Sequence, residues 1–211
     1  MRILLFGDTL GIHQLLQKVP NDVIIGIVAA SIRPHYLKEL KLLAARIKKP
    51  FLIQPKWKSV DYKNFHSRIV SLKPDLLLAY SYSMIIREDV LSAIRLGGLN
   101  IHTALLPLNR GCNPIQWAIL NNDYNTGVTL HQLDSGLDTG PIIDQLKVPI
   151  FFEDTWLDVR KRLNKATEEL LSNNISNILN NNWETLPQCD DKVIFGKRRY
   201  PEDGMFNWSE T

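Results

Sequence analysis

In Asp75-Leu76-Leu77-Leu78-Ala79-Tyr80, entered from Pro74, every residue after the aspartate is apolar or aromatic, with no alternation. A strand with one wet face alternates between apolar and polar residues. A strand buried on both faces does not, and such strands belong to parallel sheets covered by helices on each side. Outward along the chain, residues 2–6, 23–29, 51–54 and 99–102 have the same character. Between these runs, residues 12–18, 37–48 and 62–72 carry apolar side chains at helical spacing, with Leu37, Leu40, Leu43 (or Ala44) and Ile47 on one face. Pro34, Pro50, Pro55 and Pro74 fall at the joins, where proline is tolerated best. Strand alternating with helix on this scale predicts right-handed crossovers and an α/β fold with a doubly wound, mostly parallel sheet.

After His102 the pattern changes. Residues 126–133 and 141–148 read as two antiparallel strands around a loop, 134–140, too long for a tight hairpin. Residues 155–182 form a long helix with an apolar stripe through Val159, Leu163, Ala166 and Leu170, capped by Asp154 or Thr155 and ended by Asn180, Asn181 and Asn182.

Composition narrows the function classes. The 211 residues carry 25 Lys+Arg against 22 Asp+Glu and are 45% hydrophobic, which is enough for one sizeable domain without staples. Residues 1–190 form that domain and residues 191–211 a C-terminal extension or the start of a linker. No apolar stretch approaches the ~20 residues of a membrane span, and the N-terminal run has no small-residue cleavage site. The net charge of +3 permits a phosphate-bearing substrate without arguing for nucleic acid. Cys112 and Cys189 lack any paired spacing, so a reduced, cytoplasmic protein is expected, with Cys112 inert. His13, His35 and His66 lack metal-ligand spacing, and no metal site is expected.

The chemistry concentrates in two places. In Asn100-Ile101-His102 the amide and imidazole, two residues apart on a strand, face the same side at the strand's carboxyl end, where open α/β sheets bind ligands. The second is Asp134-Ser135-Gly136-Leu137-Asp138-Thr139-Gly140-Pro141, whose Asp138 can reach a histidine from an overhead loop. An amide donor, an imidazole and a carboxylate suit acyl transfer to an amine. The imidazole manages the proton of the attacking nitrogen, amide and imidazolium hold an oxyanion, and the carboxylate fixes the imidazole tautomer. No Ser or Cys stands in a nucleophile elbow, so direct transfer between two bound substrates fits better than an acyl-enzyme. His131 reads as a supporting residue rather than a base.

Together with Leu105-Leu106-Pro107, these segments resemble the signature of the 10-formyltetrahydrofolate-dependent formyltransferases, in the same order. The resemblance implies a Rossmann-like formyltransferase domain with Asn100, His102 and Asp138 as catalytic residues and 10-formyltetrahydrofolate as co-substrate. It also implies a folate pocket at Ser83, Met84 and Ile86, completed by Asp134, Gly136 and Leu137. Within the family, Arg110-Gly111-Cys112-Asn113-Pro114 is most similar to the sugar N-formyltransferases. The implied acceptor is the primary amine of a nucleotide-linked amino sugar, a dTDP-4-amino-4,6-dideoxy sugar by preference, in the making of a cell-surface glycan such as lipopolysaccharide O-antigen. The alternative is the catalytic domain of a methionyl-tRNA formyltransferase, although the long RNA-binding domain of that enzyme has no counterpart here. A third reading, a folate-binding regulatory domain without turnover, sits badly with three filled catalytic positions. Tyr80, Arg110, Asn113 and Trp117 stand by neighbourhood as acceptor-side candidates, with Arg110 equally a structural ion pair and Trp117 fitting core packing better than a substrate contact. The partners implied are small molecules, with no membrane and no nucleic acid; a homodimer is left open.

Overall fold

The computed structural model describes residues 1–189 and 193–205. Its centre is a seven-stranded sheet, and the chain enters it through β1 (Ile3–Gly7), α1 (Thr9–Lys18), β2 (Ile24–Ala30), α2 (Pro34–Arg46) and β3 (Phe51–Gln54). It then crosses through α3 (Tyr62–Leu72) to β4 (Leu76–Tyr80), and through the short α4 (Glu88–Ser92) to β5 (Gly98–His102). The order from edge to edge is β3-β2-β1-β4-β5-β7-β8. All pairs from β3 to β5 are parallel, while β7 (Asn125–Gln132) and β8 (Ile142–Pro149) run antiparallel to their neighbours.

The unbroken apolar strands are explained by the two cores they separate. Ile3, Leu5, Leu76, Leu78 and Tyr80 face one layer with Ile12 and Leu15 of α1 and Leu40 of α2. Leu4, Phe6, Leu77 and Ala79 face the other, with Tyr62, Phe65 and Ile69 of α3 and Val90 of α4. Each such large side chain removed from water contributes roughly 1.5–3 kcal/mol. The long helix α6 (Trp156–Leu179) lies on the first layer through Val159, Leu163 and Leu170. Of the two expected caps, Thr155 is the one used: it accepts from the Asp158 N–H, and the Asp158 carboxylate returns to the Thr155 N–H at 3.0 Å.

Helix α1 begins earlier than its apolar spacing predicts, because Asp8 caps it by accepting from the Gly11 N–H at 3.0 Å. The same carboxylate accepts from Ser81 Oγ at 2.8 Å, so it binds β4's exit to the first turn. Gly11 is needed there, since a Cβ would stand 2.2 Å from the Tyr80 carbonyl oxygen.

The last residues of the expected domain and part of the expected extension pack back onto its body. Leu186 exchanges two backbone hydrogen bonds with Ile142, each 2.8 Å. The two-residue strand β9 (Phe195–Gly196) then pairs in parallel with β6 (Arg110–Gly111), beside α5 (Pro114–Leu120). The expected boundary at 190 and 191 and the end of the tail from 206 lie outside the described residues. Among the described residues no helix is long and apolar enough to cross a membrane.

Candidate active site

The antiparallel step from β5 to β7 sets Asn100 opposite His131. Asn100 Nδ2 donates to His131 Nε2 at 3.1 Å. His131 is fully buried and its Nδ1 meets the Gln132 carbonyl oxygen at 2.8 Å. A carbonyl only accepts, so Nδ1 carries the hydrogen and Nε2 presents its lone pair to the carboxamide. Burial pushes the His131 pKa down from 6.5 to about 4, against the opposing pull of the Asp138 charge. A neutral ring locked this way orients Asn100 and takes no proton from substrate near neutral pH.

Asp138 is the meeting point of the site. Its Oδ2 lies 3.5 Å from His102 Nδ1 and accepts from the Gly111 N–H at 2.9 Å. Its Oδ1 lies 3.5 Å from Asn100 Nδ2 and 3.6 Å from His131 Nε2. The backbone reaches this position with φ of +53° at Asp138, a left-handed conformation that costs about 1 kcal/mol or more outside glycine and must be held by surroundings. The predicted convergence of Asn100, His102 and Asp138 is therefore present.

One expectation is corrected. The His102 tautomer is set by the Asn109 carbonyl, which accepts from Nε2 at 2.8 Å, and not by Asp138. Nδ1 is left facing the carboxylate and is the ring nitrogen open to receive a proton. The preceding Leu105-Leu106-Pro107 loop is fixed from the sheet: Leu106 N–H donates to Thr129 Oγ1, Thr129 Oγ1 donates to the Ala104 carbonyl, and Gln145 Nε2 donates to the Leu106 carbonyl at 2.9 Å.

The folate-side candidates form two groups on separate loops. Ser83 Oγ accepts from Arg33 Nε at 3.2 Å, Met84 Sδ accepts from Ser31 Oγ at 3.8 Å, and Ile86 packs against the second core. Asp134 closes its own turn by accepting from the Gly136 N–H and from Thr139 Oγ1, leaving Leu137 half exposed.

The acceptor-side candidates divide. Tyr80 is not in the cleft: period two puts it on the face of Leu76 and Leu78, it is 3% exposed, and its hydroxyl is hydrogen-bonded to Thr167. Burial pushes its phenol pKa up. Arg110 is buried, with Nε and Nη2 donating to Gln188 Oε1 at 3.0 and 2.7 Å. Asn113 Oδ1 accepts from the Arg199 N–H at 3.0 Å, and Trp117 Nε1 donates to the Lys197 carbonyl at 2.8 Å. Asn113 and Trp117 are thus engaged by the segment that the sequence reading treated as an extension, and Arg110 by Gln188 near the end of the expected domain. Arg110, Thr139 and Phe195 are among the residues lining an open cleft of about 630 Å³ beside the loop of Asp138. Sequence reasoning missed Gln188 and the Asn109 carbonyl; neither sits in a pattern that marks it. Among the described residues no cluster of His, Cys, Asp and Glu could hold a metal ion.

Comparison with known proteins gives this geometry a family. Residues 1–175 match the formyl transferase family. The bifunctional polymyxin resistance protein ArnA of Wigglesworthia glossinidia brevipalpis is 35% identical over 156 residues, 74% of this chain. The chain spans only 23% of the length of that relative. Among solved structures, the sugar 3N-formyl transferase WlaRD, in the presence of dTDP and 5-N-formyl-THF, superposes with a TM-score of 0.71 at 23% identity, over 94% of this chain and 70% of that one. Phosphoribosylglycinamide formyltransferase from Streptococcus pneumoniae TIGR4 gives 0.71 at 24% identity, over 84% and 98%. With an amide, an imidazole and an acid assembled on such a sheet, and with the match running through most of its length, this chain belongs to the formyl transferase family.

Proposed function

We propose that the protein transfers the formyl group of 10-formyltetrahydrofolate to the primary amine of a nucleotide-linked amino sugar, a dTDP-4-amino-4,6-dideoxy sugar by preference. The observation that carries this reading is the convergence of Asn100, His102 and Asp138 at 3.5 Å separations around one carboxylate. Residues Ser83, Met84, Ile86, Asp134, Gly136 and Leu137 lie on two loops and would hold the folate. The amine attacks the formyl carbon, and a nitrogen–carbon bond forms as the carbonyl becomes an oxyanion. One Asn100 N–H is committed to His131, while the other is only loosely engaged at 3.5 Å and can exchange that long contact for the oxyanion. The His102–Asp138 pair takes the proton lost by the attacking nitrogen. The bond from carbon to folate nitrogen then breaks, that nitrogen regains a proton, and tetrahydrofolate leaves. Acceptor choice is supported by the Arg110-Gly111-Cys112-Asn113-Pro114 stretch and by the likeness to a sugar formyl transferase.

The test is formyl transfer from 10-formyltetrahydrofolate to a panel of dTDP- and UDP-linked amino sugars, with charged initiator tRNA as a competing acceptor. Transfer to a nucleotide sugar is expected, and Asn100→Ala, His102→Ala and Asp138→Ala should each lower kcat by roughly 10²–10⁴-fold with the thermal transition retained. Preference for tRNA, or near-full rate in His102→Ala, overturns the proposal.

A further inference from the structure

Gln188 lies on the segment that follows the Leu186–Ile142 bridge and is remote in sequence from every catalytic candidate. Its carboxamide is fully used. Oε1 accepts from Arg110 Nε and Nη2 at 3.0 and 2.7 Å, and Nε2 donates to the carbonyls of Asp138 and Gly140 at 2.9 and 2.7 Å. Chemistry forbids the flipped amide, because a guanidinium only donates and a backbone carbonyl only accepts.

Those two carbonyls are that of the left-handed Asp138 itself and that of Gly140 just after it, and nothing in a non-glycine backbone favours that turn by itself. On its other side the loop is held by the Gly111 N–H on the Asp138 carboxylate. The neighbouring amides of β6 point elsewhere: Arg110 N–H donates to the Ile194 carbonyl and Cys112 N–H to the Gly196 carbonyl. The loop is thus pinned by its carbonyls to Gln188 and by its carboxylate to Gly111. We infer that Gln188 is a positioning residue that holds the Asp138 turn, so that the carboxylate meets His102 and Asn100. This rests on the proposed role of Asp138 in formyl transfer.

Gln188→Glu separates this role from simple packing. Glutamate has the same reach and is a stronger acceptor for Arg110, but it has no hydrogen to give the Asp138 and Gly140 carbonyls and sets a negative oxygen against them. The first readout is amide exchange, which needs no substrate. The Gly111 amide should exchange about tenfold faster or more in Gln188→Glu, with those of Arg110 and Cys112 within about twofold of wild type. The second uses 10-formyltetrahydrofolate with dTDP-4-amino-4,6-dideoxyglucose as probe acceptor. Here kcat should fall about 10- to 100-fold with acceptor KM changed by less than about threefold, as for a misplaced catalytic group. In an Asp138→Asn background the same substitution should cost nothing further.

An unchanged Gly111 amide with kcat within twofold of wild type overturns the inference. So does faster exchange at Arg110, Gly111 and Cys112 together, which would make Gln188 a general fastener of the tail. If Asp138→Asn leaves transfer intact, the functional proposal fails; if Asp138→Asn is inactive and Gln188→Glu fully active, only the role of Gln188 fails.

Discussion

Acid should loosen this protein through His131. In the unfolded chain that imidazole protonates near 6.5, whereas in the folded protein burial holds protonation off until about 4. Above pH 6.5 both states carry a neutral ring, and the group adds no pH dependence. As the pH falls from there toward 4, the unfolded chain takes up a proton that the folded one refuses, so stability drops with pH across that window. Each pH unit is worth about 1.4 kcal/mol, so the whole window corresponds to roughly 3 kcal/mol, a large part of a typical folding free energy. His131→Gln is the control, because its side-chain oxygen can accept from Asn100 and does not titrate. Urea unfolding of both proteins between about pH 7.5 and about pH 4.5 should give wild type an extra acid loss approaching that figure. Parallel curves for wild type and His131→Gln would refute the assignment of a buried neutral imidazole.

Tyr80→Phe removes a hydroxyl bonded to Thr167 inside the core, so it should cost about 0.5–1.5 kcal/mol in urea unfolding and leave acceptor KM unchanged; a large KM effect would return Tyr80 to the cleft. Gly140→Ala would bring a Cβ to 2.0 Å from the Gln132 carbonyl oxygen. That backbone clash should destabilise by about 2 kcal/mol or more and lower kcat by displacing Asp138, and a variant that melts and turns over like wild type would contradict the described loop.

How much of this could be read without coordinates depended on where the information sits. Each β–α alternation was legible because burial on both faces leaves a run such as Leu76 to Ala79 with no polar residue. The boundaries moved where a single polar contact decides them, as with Asp8 at the start of α1. Tyr80 was misplaced by its nearness in sequence to the loop expected to hold folate, although period two already assigned it to the face of Leu76 and Leu78. The Asn100–His102–Asp138 set was legible because two of its members share one strand face and the third follows a glycine-bearing loop. The contributions of Gln188 and the tail were not, since β6 and β9 are each two residues long, and so short a strand carries no periodicity. The Asn109 carbonyl was invisible for a simpler reason: every residue has one.

The docking of the C-terminal segment has a consequence for synthesis. Trp117 reaches across 80 residues of chain to Lys197, and Arg110 across 78 to Gln188. On the ribosome the chain emerges from its N-terminus and folds as it appears, so the first five strands can pair while those partners are still inside the exit tunnel. A nascent polypeptide ending ahead of Gln188 already contains every parallel strand of the sheet but lacks the carboxamide that holds the Asp138 and Gly140 carbonyls.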